Sequence, residues 1–120
     1  MIGTCSWTDP TLIQSGRFYP ELARSAEARL QYYASQFRIV EVDSTYYSMP
    51  RERTSGLWVE RTGERFLFDI KSFRLFTLHP TPVDALPKDV REALSTELKQ
   101  KASIYHRDMP AELVDELWHR

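Results

Sequence analysis

Glu41 and Asp43 lie two residues apart in Ile39-Val-Glu-Val-Asp-Ser-Thr-Tyr-Tyr47, a stretch whose β-branched residues read as a short strand. Side chains alternate along a strand, so both carboxylates point to one face while Val40 and Val42 take the other. Such a pair could share a proton, act as a general base, or hold a divalent metal with ligands from later strands. A carboxylate without a partner is costly to desolvate, so this face is expected to line a polar pocket; the plainer alternative is a half-exposed sheet face that meets water. Phe66-Leu-Phe-Asp-Ile-Lys71 alternates in the same way and sets Asp69 and Lys71 on what would be the same face. Lys71 would offset the acidic charge, and could bind a substrate phosphate or carboxylate as a point charge or, with a depressed pKa, act as a base. The competing role for Glu41, Asp43 and Lys71 is an ion-pair network that only holds geometry.

Other candidates gather just past the strand ends. Trp7, Tyr46 and Tyr47 could stack on a sugar or a base, or could simply pack a loop. Ser44 and Thr45 could donate hydrogen bonds to an anion or order the turn. His79, between Leu78 and Pro80, could be a general acid or a metal ligand, but reads first as a surface histidine. Cys5 is expected to be an inert small hydrophobe at the end of a buried strand rather than a nucleophile. No phosphate loop, metalloprotease helix or nucleophile elbow is present, and no cofactor is implied.

These residues need elements to hold them. Ile2–Cys5 reads as a first strand, followed by a long loop to Pro20. The spacing of Leu22, Ala26, Leu30, Tyr33 and Phe37 predicts an amphipathic helix over Glu21–Phe37. Strands at Ile39–Asp43 and Phe66–Lys71 flank a second helix, with Pro50 in an early helical position and Gly63 as its stop. The order β-loop-α-β-loop-α-β favours parallel strands with right-handed crossovers. Beyond it, Phe73–Pro87 reads as a loop, Pro87–Ala102 as a charged helix, and Met109-Pro110 as the opening of a last helix with Leu113, Val114, Leu117 and Trp118 on its apolar side. With no fourth strand expected, the sheet edge and an apolar helix face would need covering by the remainder of a barrel or by a partner.

The 120 residues bound the chain to one domain at most, and 16 basic against 17 acidic residues leave it near neutral. That balance gives no bulk electrostatic case for nucleic acid. A single cysteine excludes an internal disulfide and a multi-cysteine zinc site. No signal peptide is recognisable and no apolar run approaches the roughly 20 residues of a membrane span, so a cytoplasmic protein is expected.

Several stretches in order carry a family resemblance. Ile2-Gly-Thr-Cys-Ser-Trp7 is similar to a Gly-Thr-Ser-Gly-Trp opening, with Phe18-Tyr19-Pro20 following. Val40-Glu-Val-Asp-Ser-Thr-Tyr-Tyr47 resembles Val-Glu-Ile-Asn-Ser-Thr-Phe-Tyr, Phe66–Lys71 resembles Phe-x-Phe-x-(Val/Ile)-Lys, and His79 falls where a histidine is frequent. Leu86-Pro-Lys-Asp-Val-Arg91 resembles a variant with an extended third segment. The family is the YecE-like group, domain of unknown function 72. Cys5-Ser6 stands where Ser-Gly is usual, and Asp43 where Asn is usual. The first departure bears on backbone freedom and the second adds a charge to the site.

The resemblance implies an α/β fold in which residues 1–120 form the N-terminal part of a single TIM-type (β/α) barrel domain. Such barrels run to about 250 residues and eight strands, so this chain would hold three strands of an incomplete barrel. Glu41, Asp43, Asp69 and Lys71 would face inward, with Asp43 and Lys71 nearest the C-terminal rim where ligands bind. Three functions follow as expectations. The first is binding or turnover of a small polar anionic ligand at the C-terminal strand ends. The second is a phosphodiester- or nucleic-acid-processing barrel like endonuclease IV, resting on fold analogy. The third is a non-catalytic binding protein or an inactive truncated fragment.

Overall fold

A computed structural model describes residues 1–120. Its elements run α1 (Pro10–Gln14), α2 (Ala26–Gln36), β1 (Ile39–Val42), α3 (Ser44–Tyr47), α4 (Glu52–Thr62), β2 (Leu67–Ile70), β3 (Thr81–Pro82), α5 (Lys88–Ala93), α6 (Thr96–Lys99), β4 (Ser103–Ile104) and α7 (Ala111–Trp118). Short 3-10 turns at Val83–Ala85 and His106–Asp108 complete the chain. Two compact units result: Met1–Asp43 with Arg51–Lys71, and Ser44–Pro50 with Ser72–Arg120. No helix is long and apolar enough to cross a membrane.

In the first unit β1 and β2 pair in parallel, with Ile39 opposite Leu67, Val40 opposite Phe68, Glu41 opposite Asp69 and Val42 opposite Ile70. Val40 and Val42 are buried and pack with Trp7, Leu30 and Tyr33, joined by partly buried Phe18, Phe37, Trp58, Phe66 and Phe68. This apolar side of β1 faces the stripe of α2, as alternation requires. The expected first strand shrinks to one parallel bridge, Cys5 to Glu41. Ser6 N–H donates to the Glu41 carbonyl at 2.9 Å and Glu41 N–H donates to the Thr4 carbonyl at 3.1 Å. Gly3 makes the approach possible, since a Cβ there would stand 2.1 Å from the Ile39 carbonyl oxygen. The phenol of Tyr33 ties the segment down: it accepts from Thr4 N–H at 2.7 Å and donates to the Ile39 carbonyl at 3.2 Å.

Two helix starts differ from expectation. α2 begins at Ala26, not Glu21, because the Ser25 hydroxyl accepts from Ala28 N–H at 3.0 Å and caps the helix there. Pro20 through Ala23 form a turn instead, so Leu22 is 92% exposed, and Ala26 is exposed too. The buried stripe is Leu30 and Tyr33, with Phe37 just beyond the helix. Pro50 lies before α4, not inside it, whereas Gly63 does end the helix, at φ +80°.

The departure from the family opening at Ser6 falls on a special backbone position. Ser6 has φ +74°, the left-handed region that a side chain disfavours by roughly 1–2 kcal/mol. Its hydroxyl recovers part of that by accepting from Thr8 N–H at 3.0 Å. Ser6→Gly is therefore expected to stabilise the protein, by about 0.5–1 kcal/mol, as a rise in the urea midpoint at constant m-value.

The second unit has its own core of Phe73, Leu75, Leu86, Val90, Leu94, Ile104, Met109, Leu113 and Leu117. The single helix expected over Pro87–Ala102 is two, because Leu94 is extended (ψ 151°) and Ser95 caps α6 by accepting from Leu98 N–H at 3.3 Å. Two short strands appear where none was expected: β3 and β4 pair antiparallel, Thr81 with Ile104 and Pro82 with Ser103. A two-residue ladder has no period to read, and Pro82 can contribute no N–H to it. α7 starts just after Pro110 and buries Leu113 and Leu117, but Trp118 remains 66% exposed, edge-on to Phe76 with ring centroids 5.1 Å apart.

The stretch expected to be a plain loop contains one helical turn with a closed end. His79 N–H donates to the Arg74 carbonyl at 3.0 Å and Leu78 N–H to the Leu75 carbonyl at 3.2 Å. Leu78 sits at φ +64°. Together these form a Schellman-type closure, with leucine at the left-handed position that glycine ordinarily fills.

Candidate functional site

The parallel register brings the sequence-predicted acids and lysine together at the C-terminal ends of β1 and β2. Lys71 Nζ donates to Asp43 Oδ1 at 2.7 Å and lies 3.6 Å from Glu41 Oε1. Lys71 N–H also continues the ladder, donating to the Val42 carbonyl at 3.4 Å. The side chains of Lys71, Asp43 and Glu41 are 49, 42 and 35% exposed, so the cluster is open to solvent in this chain and not enclosed in a pocket. The hydrogen bond from Lys71 holds the Asp43 carboxyl below its ordinary range, and the same bond raises Lys71. Both groups are thereby kept charged across the neutral range. Asp69 stands opposite Glu41 in the register and leaves the strand ends with three carboxylates and one ammonium.

Cys5 joins this cluster. Its Sγ lies 3.6 Å from Glu41 Oε2 and the residue is exposed, contrary to the buried position expected. The Glu41 carboxylate is the main cause of a raised thiol pKa, so the sulfur is held protonated and is a poor nucleophile. The cause of the raised thiol is chiefly electrostatic, since the residue is exposed.

The remaining candidates are placed differently. Trp7 is 8% exposed, with its ring edge-on to Trp58 at 5.5 Å and its carbonyl accepting from the Tyr19 hydroxyl at 2.5 Å. It is a packing residue in this unit. Burial pushes the Tyr19 phenol up to about 12, so that bond persists through the neutral range.

In the second unit Ser44 opens α3 and is exposed, Thr45 is buried, and Tyr46 is half-buried. The Tyr46 ring meets His79 edge-on at 5.8 Å, and the Arg74 guanidinium lies over the same ring at 5.5 Å from its centroid. Arg74 also donates its backbone N–H to the Tyr46 carbonyl at 3.0 Å. Sequence reasoning missed Arg74, since nothing in a lone arginine inside an irregular stretch announces a stacked partner 28 residues earlier. No group of three or more His, Cys, Asp or Glu side chains is placed to hold a metal ion.

A family model described as "Protein of unknown function DUF72" matches residues 1–116. The chain belongs to the DUF72 family. It is also similar to the UPF0759 protein YunF of Bacillus subtilis, at 32% identity over 104 residues. That match covers 87% of this chain and 34% of YunF, so the chain spans about a third of the length of the curated relative it matches. No solved structure matches it. The Cys5–Glu41–Asp43–Lys71 cluster and the Tyr46–Arg74–His79 cluster both fall inside the DUF72 match.

Proposed function

We propose that the whole protein is a (β/α) barrel that binds or turns over a small polar anionic ligand at the C-terminal ends of its parallel strands. The observation that carries this reading is the Lys71 ammonium set between the Asp43 and Glu41 carboxylates at the ends of two adjacent parallel strands. The barrel part is supported by the parallel order of the Cys5 segment, β1 and β2, and by apolar residues on the helix-covered side of β1. Ligand sites in such folds gather at the C-terminal strand ends.

The chemistry divides by charge. Lys71 is half-exposed and meets a carboxylate or phosphate from the solvent side. Glu41 accepts hydrogen bonds from ligand hydroxyls, and is the carboxylate with the longer contact to Lys71, which suits it better than Asp43 to act as a base. Binding of hydroxy acids and sugar acids to the full-length protein, measured by calorimetry, tests the idea. Glu41→Gln should weaken a bound acid by roughly tenfold to a hundredfold while raising the alkylation rate of Cys5, which shows that the change acted where intended. Unchanged affinity in Glu41→Gln would remove the proposal.

A further inference from the structure

We propose that the second unit carries a recognition site for a phosphate monoester group, formed by Arg74, Tyr46 and His79. It uses none of the Glu41, Asp43 or Lys71 groups and stands or falls separately from the function proposed above.

The guanidinium of Arg74 is preorganised. It lies over the Tyr46 ring at 5.5 Å, and its backbone is fixed at both ends of the helical turn: Arg74 N–H donates to the Tyr46 carbonyl and the Arg74 carbonyl accepts from His79 N–H, each at 3.0 Å. Its Nε is buried and has no acceptor. Arg91 Nε is in the same condition, so this alone marks nothing. What distinguishes Arg74 is that an aromatic face and an imidazole accompany it, the latter on the same ring at 5.8 Å. A planar fork held against a ring suits a tetrahedral oxyanion, which takes two of its N–H donors at once.

The hydrogen bonds around His79 indicate which kind of oxyanion. Thr77 Oγ1 lies 3.1 Å from the Arg74 carbonyl and 2.9 Å from His79 Nδ1. A hydroxyl has one proton. The arrangement that satisfies both contacts has Thr77 donating to the carbonyl and accepting from Nδ1–H. Neutral His79 then carries its proton on Nδ1 and a lone pair on Nε2. Arg74 and His79 both meet the Tyr46 ring, and that lone pair suits an anion which itself bears an O–H. Hydrogenphosphate and protonated phosphate monoesters have one; sulfate and phosphodiesters do not. The left-handed Leu78 is the strained residue that makes the closure, and strain of this kind concentrates where a side chain must be aimed.

The test is a titration of the intact protein, uniformly labelled with nitrogen-15, with inorganic phosphate, sulfate, methyl phosphate and dimethyl phosphate at about pH 6, where roughly half of a phosphate monoester still carries its O–H. Millimolar phosphate and methyl phosphate should move the Arg74 Nε–H and His79 ring-nitrogen signals, with sulfate and dimethyl phosphate binding about tenfold more weakly. Arg74→Gln should lower phosphate affinity roughly tenfold or more, whereas Thr77→Ala should keep phosphate binding but erase the preference over sulfate. Absence of any movement at Arg74 and His79 in the wild-type protein overturns the site, whatever the variants do. Equal binding of all four anions overturns the assignment to a monoester.

Discussion

Tyr33→Ala should destabilise the first unit by about 3–5 kcal/mol, the range for deleting a large buried ring. Tyr33 is 0% exposed and its ring lies 5.0 Å from Phe37, 6.0 Å from Phe18 and 6.2 Å from Phe66. The more telling variant is Tyr33→Phe, which keeps the ring and removes one oxygen. That oxygen serves both Thr4 N–H and the Ile39 carbonyl, so two backbone groups lose a partner at once, at a cost of about 2 kcal/mol. Amide exchange should then quicken at Ser6 and Glu41, whose N–H groups bridge the N-terminal segment to β1. The effect reaches the candidate site, because the same segment brings Cys5 to Glu41. Exchange at those two amides equal to wild type in Tyr33→Phe would mean that the phenol is not what seats the segment.

The period of two in Ile39–Val42 and Phe66–Lys71 carried most of what could be read beforehand. It places Val40 and Val42 in the core and sends Glu41, Asp43 and Lys71 to the opposite side, where the structure joins them. The role of Tyr33 was half legible: helical spacing marks its ring as core, but nothing local says that its hydroxyl reaches residue 4. Ser95 is a readable cap that splits the Pro87–Ala102 helix, and it competes in the sequence with the long stripe of Val90, Leu94 and Leu98. β3, β4 and the closure at Leu78 left no signal, since a two-residue ladder has no period and the left-handed turn lacks its glycine. The Arg74–Tyr46 stack was invisible for a related reason. Its two members belong to segments with no common pattern, and a backbone hydrogen bond formed on folding helps bring them together.

Lys71→Met should return the Asp43 carboxyl toward its ordinary value of 3.8, because the Lys71 hydrogen bond is the first cause of its depression. Carboxyl carbon titration by NMR reads this directly. The sign of the stability change follows from the two partners. Asp43, lowered in the folded state, contributes stability above about 3.8 that is lost as pH falls through its lower folded value. Lys71, raised by Asp43, contributes stability below about 10.5 that is lost as pH rises through its higher folded value. Wild type should therefore show a plateau between those limits with a decline at each end, and Lys71→Met should lack the part of both declines that belongs to this pair. The variant also leaves Glu41 and Asp43 without their ammonium, with Asp69 opposite Glu41 in the register. Added salt should accordingly recover more stability in Lys71→Met than in wild type, since screening relieves repulsion and weakens attraction. An Asp43 titration that does not move on loss of Lys71 would show that the pair is not formed in solution. The charge arrangement proposed for ligand binding would then lose its foundation.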